Sequence, residues 1–476
     1  MITSPLWNTS DAMAATGGRV SDDWTATGIS IDTRTLERGD LFVALAGPNF
    51  DGHDFVAAAF ENGASAALVA ESGAGSLAGT LGENPGLIVA DPLAALRRLA
   101  IAARQRTDAK MVAVTGSVGK TGTKEALAHV LSPQGSTCFS KNSLNNHWGV
   151  PLSVARMHAA TEFGVFEIGM NHPGEITPLV EIVRPDVAVI TAIAPAHMEF
   201  FATVEDIARA KAEIFSGLDG GIAIINRDTE FFDLLAKIAL DTGAREVIGF
   251  GRSADADMRL MECFSDATGN LIDARWNEQA IRFRVGQPGV HWAYNGLAVL
   301  AAVDALGGDM TAAAAALATL PALPGRGAVH VLPWGDGHIR LIDDSYNANP
   351  ESMSAALKTL GHMKPDGGRR VAILGDMLEL GEISKTAHAG LNAQIEKNEI
   401  DIVFLAGNEI TALADALEPA RLGGISENAD GILPLVLSGL RAGDVVTVKA
   451  SNGIGLTRVV DALTDPASYQ RAANGD

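Results

Sequence analysis

Met111-Val112-Ala113-Val114-Thr115-Gly116-Ser117-Val118-Gly119-Lys120-Thr121 is the stretch on which the fold of this chain turns. Four apolar residues read as a buried strand, a glycine-containing turn follows, and Lys124–Val130 continues in a helical pattern. Such a turn exposes backbone N–H groups, and the helix after it adds partial positive charge at its N-terminus, so together they make an anion site. Lys120 can neutralise phosphate oxygens, and the Thr121 hydroxyl can meet Mg²⁺. The general phosphate-loop pattern has a further glycine at the loop's start, where this chain has Val114-Thr115. The competing reading is an ordinary strand-to-helix turn. Strand, loop, Lys-Thr pair and helix all agree, and that agreement favours the phosphate loop, formed by Thr115, Gly116, Ser117, Val118, Gly119, Lys120 and Thr121.

Outward from this loop the chain divides into three zones. Residues 1–104 hold short strand-like pieces, Leu41–Leu45 and Ala66–Ala70, and close on an Ala-rich helix near Pro92–Arg106. Residues 105–325 alternate strands (Phe163–Ile168, Val187–Ile193, Gly221–Ile225) with helical patterns, and end in the Pro/Gly-rich break Pro321–Gly327. Residues 326–476 repeat that rhythm with Arg370–Leu374, Asp401–Ala406 and Asp444–Lys449. The expectation is an α/β protein of three domains: a smaller N-terminal α/β domain, a central domain with a phosphate-loop type, mostly parallel sheet and flanking helices, and a Rossmann-like C-terminal domain. At roughly 100–200 residues per domain, 476 residues accommodate that number.

Composition narrows the function. With 36 basic and 57 acidic residues the net charge is −21, which argues against general nucleic-acid binding and means that an anionic substrate must be held by local devices. Cys138 and Cys263 are far apart and form no zinc or disulfide pattern, as suits a reducing compartment. The first basic residue is Arg19, and no run of about 18 apolar residues suggests a membrane span. A cytoplasmic monomer without nucleic-acid or membrane partners is expected.

Several polar residues stand where chemistry is usually done. Glu167 ends an apolar strand, the side of an open α/β sheet on which ligands bind, and a carboxylate there suits Mg²⁺. His197 follows another strand; a lone histidine is more often structural. Lys211, in a helical segment, would ordinarily be a solvated lysine. Arg326 sits at the Pro/Gly break, where a planar, permanently charged group can close onto phosphate when domains move. Tyr346, Asn347 and Asn349 lie on a loop after a strand.

Thr-Gly-Ser-x-Gly-Lys-Thr resembles the phosphate loop of the muramyl-peptide (Mur) ligase family, whose relatives include folylpolyglutamate synthases, and the resemblance extends over nearly the whole chain. It implies ATP and Mg²⁺ as cofactors, with Thr121, Glu167 and His197 at the metals, joined by Lys211, in Ala210-Lys211-Ala212-Glu213-Ile214, once carbamylated. Asn295, in His291-Trp292-Ala293-Tyr294-Asn295-Gly296, matches an Asn at the adenine, although Trp292 replaces the family's first Asn. Arg326 matches an Arg reaching the ATP phosphates, and Asp344 a contact to the ribose. Lys120, Lys211, His197 and Arg326 would be the catalytic set.

The segment Asp344-Ser345-Tyr346-Asn347-Ala348-Asn349-Pro350 resembles the signature of the member that adds D-alanyl-D-alanine to a UDP-N-acetylmuramoyl-tripeptide, as does Gly375-Asp376-Met377-Leu378-Glu379-Leu380-Gly381. Val448-Lys449-Ala450-Ser451-Asn452 is similar to a further segment of that member, with Ala450 for Gly and Asn452 for Arg. Tyr346, Asn347, Asn349, Lys449 and Ser451 are thereby implied at the acceptor. On the donor side, Asp32, Thr33 and Arg34 resemble a UDP-binding motif, and Asn145 and Asn146 belong to a loop similar to the family's substrate loop. A surface ion pair is the competing reading for Asp32 and Arg34. Two other functions stay open: a sister ligase with another acceptor, and a regulatory nucleotide binder that has lost catalysis.

Overall fold

The structure, a computed structural model, describes residues 5–47, 50–71, 81, 84–266 and 268–465. Among the described residues the strands form four sheets. The N-terminal part contains β1 (Trp7–Asn8), β2 (Arg19–Val20), β3 (Thr25–Ala26), β4 (Gly28–Ser30), β5 (Asp40–Val43), β6 (Ala66–Ala70) and β7 (Gly86–Val89). β1 and β3 pair as a small ribbon, and the others make a five-stranded sheet in the order β2-β7-β6-β5-β4, antiparallel only between β2 and β7. The helix Pro92–Gln105 follows, started by Asp91, whose carboxylate accepts from the N–H groups of Leu93 and Ala94.

The central sheet is built from β8 (Lys110–Thr115), β9 (Thr137–Phe139), β10 (Phe163–Glu167), β11 (Val187–Ile190), β12 (Ile222–Asn226), β13 (Glu246–Gly251), β14 (Met258–Asp266), β15 (Gly269–Trp276) and β16 (Gln279–Val285). Their order is β16-β15-β14-β13-β12-β11-β8-β10-β9. The strands from β8 to β14 run parallel, as the β/α alternation requires, whereas β14, β15 and β16 form an antiparallel meander on one edge. Sequence reading did not identify this meander. Its strands are broken into half-exposed alternation by charged residues such as Glu262 and Arg282, so they lack the continuous apolar runs of the buried strands.

The parallel strands are apolar on both faces because both faces are covered. Met111, Ala113, Phe166, Ala188 and Ala223 enter one core, and Val112, Val114, Val165, Val189 and Ile224 the other. The first core is continuous with the N-terminal part, taking in Leu41, Leu68, Leu96 and Leu99. Arg156 Nε donates to the Ile29 carbonyl at 2.9 Å and Trp7 Nε1 to that of Ala155 at 3.0 Å, which ties the two parts further.

The C-terminal sheet has six strands: β17 (Ala328–Trp334), β18 (Gly337–Asp343), β19 (Arg370–Gly375), β20 (Ile402–Ala406), β21 (Leu422–Ser426) and β22 (Val445–Lys449), in the order β17-β18-β22-β19-β20-β21. Only the β17–β18 hairpin is antiparallel. Val371 and Ile373 face one core, Ala372 and Leu374 the other. The α/β architecture and mostly parallel central sheet expected from the sequence are those observed. No helix among the described residues is long and apolar enough to cross a membrane.

Candidate functional site

In the central sheet β8 lies between β10 and β11, and the chain leaves it first toward the β9 edge and later toward β12. The carboxyl ends of these three strands meet at a switch in winding direction, where open α/β sheets bind ligands. Here a cleft of about 1730 Å³ opens, lined by the phosphate loop, Glu167, Asn145, His197, Asn295 and, from the third zone, Arg326 and the Asp344–Asn349 loop. Single drug-sized ligands occupy roughly 300–1,000 Å³, so this cleft has room for more than one substrate.

The phosphate loop is braced by its neighbours. Gly119, with φ +86°, caps the helix Lys120–Leu131, and a Cβ there would lie 3.0 Å from Asn295 Oδ1. Asn295 itself is buried, close against the loop. Ser117 N–H donates to the Ala192 carbonyl at 2.8 Å and its hydroxyl to that of Ala194 at 2.9 Å, while Thr191 Oγ1 donates to the Val118 carbonyl at 2.5 Å. The Lys120 ammonium donates to the Gly116 carbonyl at 2.7 Å. Desolvation lowers its pKa, Glu167 opposes that effect, and Arg326 adds to it. Trp292, which replaces an Asn of the family pattern, lies on the helix Val290–Ala305 and packs close to Gly122 of the helix Lys120–Leu131.

Glu167 is buried at the end of β10. It accepts a hydrogen bond from Thr121 Oγ1 at 2.8 Å and from Asn145 Nδ2 at 2.7 Å. One carboxylate beside one hydroxyl offers hard oxygen donors. Among the described residues no group of three or more His, Cys, Asp or Glu forms a ready-made cage for a metal ion. The Glu167 and Thr121 oxygens suit Mg²⁺, which takes one or two protein carboxylates and completes its shell with substrate phosphates and water.

Lys211, on the helix Val204–Ala212, is 1% exposed. Among the described residues no hydrogen bond or ion pair to its amine is formed. Burial drives its pKa well below the ordinary lysine value, and repulsion from Lys120 adds to the shift. Lys211 does not line the cleft, yet it is near enough to Lys120 to feel its charge. A desolvated ammonium without a protein partner is costly, and a lowered pKa brings the nucleophilic neutral amine within easier reach.

The third zone closes the other wall. Gly325, at φ +70°, is pressed against Tyr346, whose Cβ would be 2.9 Å from a side chain there, and its N–H donates to Asp343 Oδ2 at 2.7 Å. The Arg326 guanidinium stacks over the Tyr346 ring at 4.2 Å. Lys449 is buried, pairs with Asp344 at 2.8 Å and donates to the Asn347 carbonyl at 2.8 Å. Asn349 Oδ1 accepts from Ser352 N–H at 2.9 Å as the cap of the helix Pro350–His362, so that oxygen is committed to the fold although the residue lines the cleft. Asn452, which stands where the related segment has Arg, lines the cleft, whereas Ser451 sits behind it and receives the Leu378 N–H at 2.9 Å.

Asn146 lines the cleft, its Oδ1 accepting from Gly149 N–H at 2.9 Å. Asp32, Thr33 and Arg34 are not part of it. Arg34 and Asp32 form an exposed ion pair at 2.6 Å, and the Thr33 carbonyl accepts from Asn62 Nδ2 at 3.0 Å.

Sequence reasoning missed three participants. Thr191 holds the phosphate loop from the end of β11. Asp228, in the cleft, accepts from the Tyr294 hydroxyl at 2.9 Å, and burial followed by this carboxylate pushes the phenol up to about 12. Glu379 reaches His197 across the domain boundary at 2.5 Å. Thr191 and Asp228 follow strands closely, and position at a strand's carboxyl end was the available signal.

The chain matches known proteins along its length. Family profiles match in order: the Mur ligase family catalytic domain over residues 25–106, the Mur ligase middle domain over 114–303, and the Mur ligase glutamate ligase domain over 332–452. The UDP-N-acetylmuramoyl-tripeptide–D-alanyl-D-alanine ligase of Rickettsia prowazekii is 32% identical, over 96% of this chain and 99% of its own length. The protein of the same name from Escherichia coli is 37% identical, over 83% of this chain and 84% of its own. A crystal structure of MurF from Acinetobacter baumannii superposes with a TM-score of 0.81 at 27% identity, covering 97% of this chain and 99% of that one. MurF ligase from Thermotoga maritima in complex with ADP gives 0.74 at 27% identity, covering 94% and 98%. With three successive Mur ligase profiles, and relatives above 30% identity spanning most of its length, the chain belongs to the Mur ligase family.

Proposed function

We propose that this protein is an ATP-dependent ligase that joins D-alanyl-D-alanine to UDP-N-acetylmuramoyl-tripeptide, giving UDP-N-acetylmuramoyl-pentapeptide, ADP and phosphate. The observation that carries the proposal is the convergence, on one cleft, of a phosphate loop and a buried carboxylate from the central domain with Arg326 and the Asp344–Asn349 loop from the third. The names of its relatives support the same substrates. In this reading residues 1–104 hold the UDP part of the donor through Asp32, Thr33 and Arg34. Residues 105–325 hold ATP, and residues 326–476 hold the dipeptide. The reaction runs in the cytoplasm, on a monomer.

The donor's terminal carboxylate attacks the γ-phosphorus of ATP, and the bond to the β–γ bridging oxygen breaks to release ADP. The amine of the dipeptide then attacks the acyl phosphate carbon. It loses a proton, and phosphate leaves from the tetrahedral intermediate. Such phosphoryl transfer is accelerated by positioning and charge stabilisation. Lys120 moves from its loop carbonyls to a phosphoryl oxygen, the stronger partner, while the loop N–H groups cradle the phosphates. Arg326, braced on Tyr346, meets the transferring group from the opposite wall. Asn295 takes the adenine and Asp344 the ribose. Asn145 and Asn146 flank the muramyl part, and Tyr346, Asn347, Asn349, Lys449 and Ser451 shape the dipeptide's subsite.

Thr121, Glu167 and His197 would hold Mg²⁺, which supplies neutralisation of phosphate charge. Lys211 fits a carbamylated residue: its neutral amine attacks CO₂, one proton leaves, and an anion replaces a cation that burial disfavours. That anion lies beside Lys120 and offsets their repulsion.

The test is phosphate release with Mg²⁺, ATP and UDP-N-acetylmuramoyl-tripeptide, with and without D-alanyl-D-alanine. Release that depends on the dipeptide is expected. Release supported only by another amine would move the assignment to a sister ligase, and silence with every acceptor despite ATP binding would leave a nucleotide binder.

A further inference from the structure

His197 and Glu379 belong to different domains, yet each is shaped for the other. Both have left-handed backbones, φ +56° and +62°, which non-glycine residues seldom adopt unless their surroundings hold them there. His197 Nδ1 lies 2.5 Å from Glu379 Oε2, and since a carboxylate only accepts, the ring nitrogen donates. The backbones also join: Glu199 N–H donates to the Glu379 carbonyl at 3.3 Å, and a Cβ on Gly381 would lie 3.3 Å from Glu199 Cα.

The loop that presents Glu379 is fastened at successive residues. Asp376, buried, accepts from Asn408 and Ile410 N–H at 3.0 and 2.7 Å. Met377 N–H donates to Nε2 of the buried His388 at 2.9 Å, and Leu378 N–H to Ser451 Oγ at 2.9 Å. A loop held this firmly presents one side chain in one place. His197 lines the cleft and Glu379 does not.

We infer that Glu379 is a positioning residue for His197. The bond fixes the imidazole tautomer and leaves Nε2 as the lone-pair nitrogen for a ligand in the cleft. Because Glu379 comes from the third domain, the cation site of the central domain is complete only when the two domains meet through this contact. The inference rests on the proposed role of His197 at a metal.

The test uses the full-length protein and titrates Mn²⁺, followed by its paramagnetic resonance signal, in the presence of a non-hydrolysable ATP analogue. Glu379→Ala should weaken Mn²⁺ binding about tenfold and lower kcat about 10–100-fold. KM for ATP and for the donor should stay within about twofold, since Glu379 does not line the cleft. Glu379→Gln, whose amide oxygen still accepts from Nδ1–H, should recover most of both losses. Glu379→Asp, which tolerates the left-handed backbone but reaches less far, should resemble the alanine variant and serves if that variant folds poorly. Adding Glu379→Ala to His197→Ala should cost little more than His197→Ala alone. Unchanged Mn²⁺ affinity in the Ala and Asp variants, or losses that add in full to those of His197→Ala, would overturn the inference. If the wild type releases no phosphate with the dipeptide, the proposed reaction fails, while the Mn²⁺ comparison still decides the role of Glu379.

Discussion

Lys120 and Lys211 sit near enough to repel each other, and the molecule treats them in opposite ways. Lys120 closes back on its own loop, its ammonium satisfied by the Gly116 carbonyl. Lys211 is deeper, 1% exposed, with no partner among the described residues. A charge with a partner is at rest and can exchange that partner for a stronger one. A charge without a partner destabilises the fold, and the site keeps it only if neutralisation or modification gives the residue another form. In the proposed function the difference separates a residue that would bind phosphate directly from one that would condition the field around it.

Replacing Lys120 should have the largest effect. Lys120→Ala should reduce dipeptide-dependent phosphate release by about 10³-fold, because in the proposed reaction it removes the cation that meets the transferring group. An activity within tenfold of wild type would break the assignment of the loop.

Lys211→Met tests the other half of the comparison, because two readouts should move oppositely. Turnover should fall about 10²-fold, whereas the apparent unfolding midpoint measured without bicarbonate should rise by about 2–4 °C. The sign follows from linkage. The folded pKa is lowered, so between it and the usual lysine value the unfolded chain binds more protons, and the unmodified protein gains stability as pH rises through that window. The advantage of Met is therefore greatest at the low end of that window and fades as pH approaches 10.5, the ordinary lysine value. A midpoint that drops would mean that Lys211 has a stabilising partner.

Asn145→Ala sharpens the picture at Glu167. Losing the 2.7 Å bond should leave Thr121 as the carboxylate's remaining side-chain partner and raise the Mg²⁺ concentration needed for half-maximal rate about tenfold. Assays across a Mg²⁺ series check this, and rescue at high Mg²⁺ is expected.

The smallest structural effect belongs to Arg34→Ala. The pair with Asp32 is exposed, so the unfolding midpoint should not move. KM for the UDP-bearing donor should nevertheless rise about tenfold if Arg34 binds its phosphates. An unchanged KM would reduce the pair to surface decoration.

The sequence by itself determined the elements and their class. Continuous apolar runs such as Val112–Val114 and Val371–Leu374 are legible because a parallel strand covered on both faces has no polar side to show. The phosphate loop is equally legible, since its function lies in consecutive backbone N–H groups and in Lys120 and Thr121 beside them. Position singled out Glu167 and Arg326, and the resemblance Lys211, as candidates on separate stretches of text. Tertiary structure alone decided what joins them: Asn145 and Thr121 on the two oxygens of Glu167, Tyr346 under Arg326, and Glu379 against His197, 182 positions away in the chain. The meander Met258–Val285 also escaped sequence reading, because antiparallel edge strands alternate and carry charge. Periodicity reports how a segment is covered. It cannot report which distant side chain completes a hydrogen bond, because that depends on strand order and on how two domains meet.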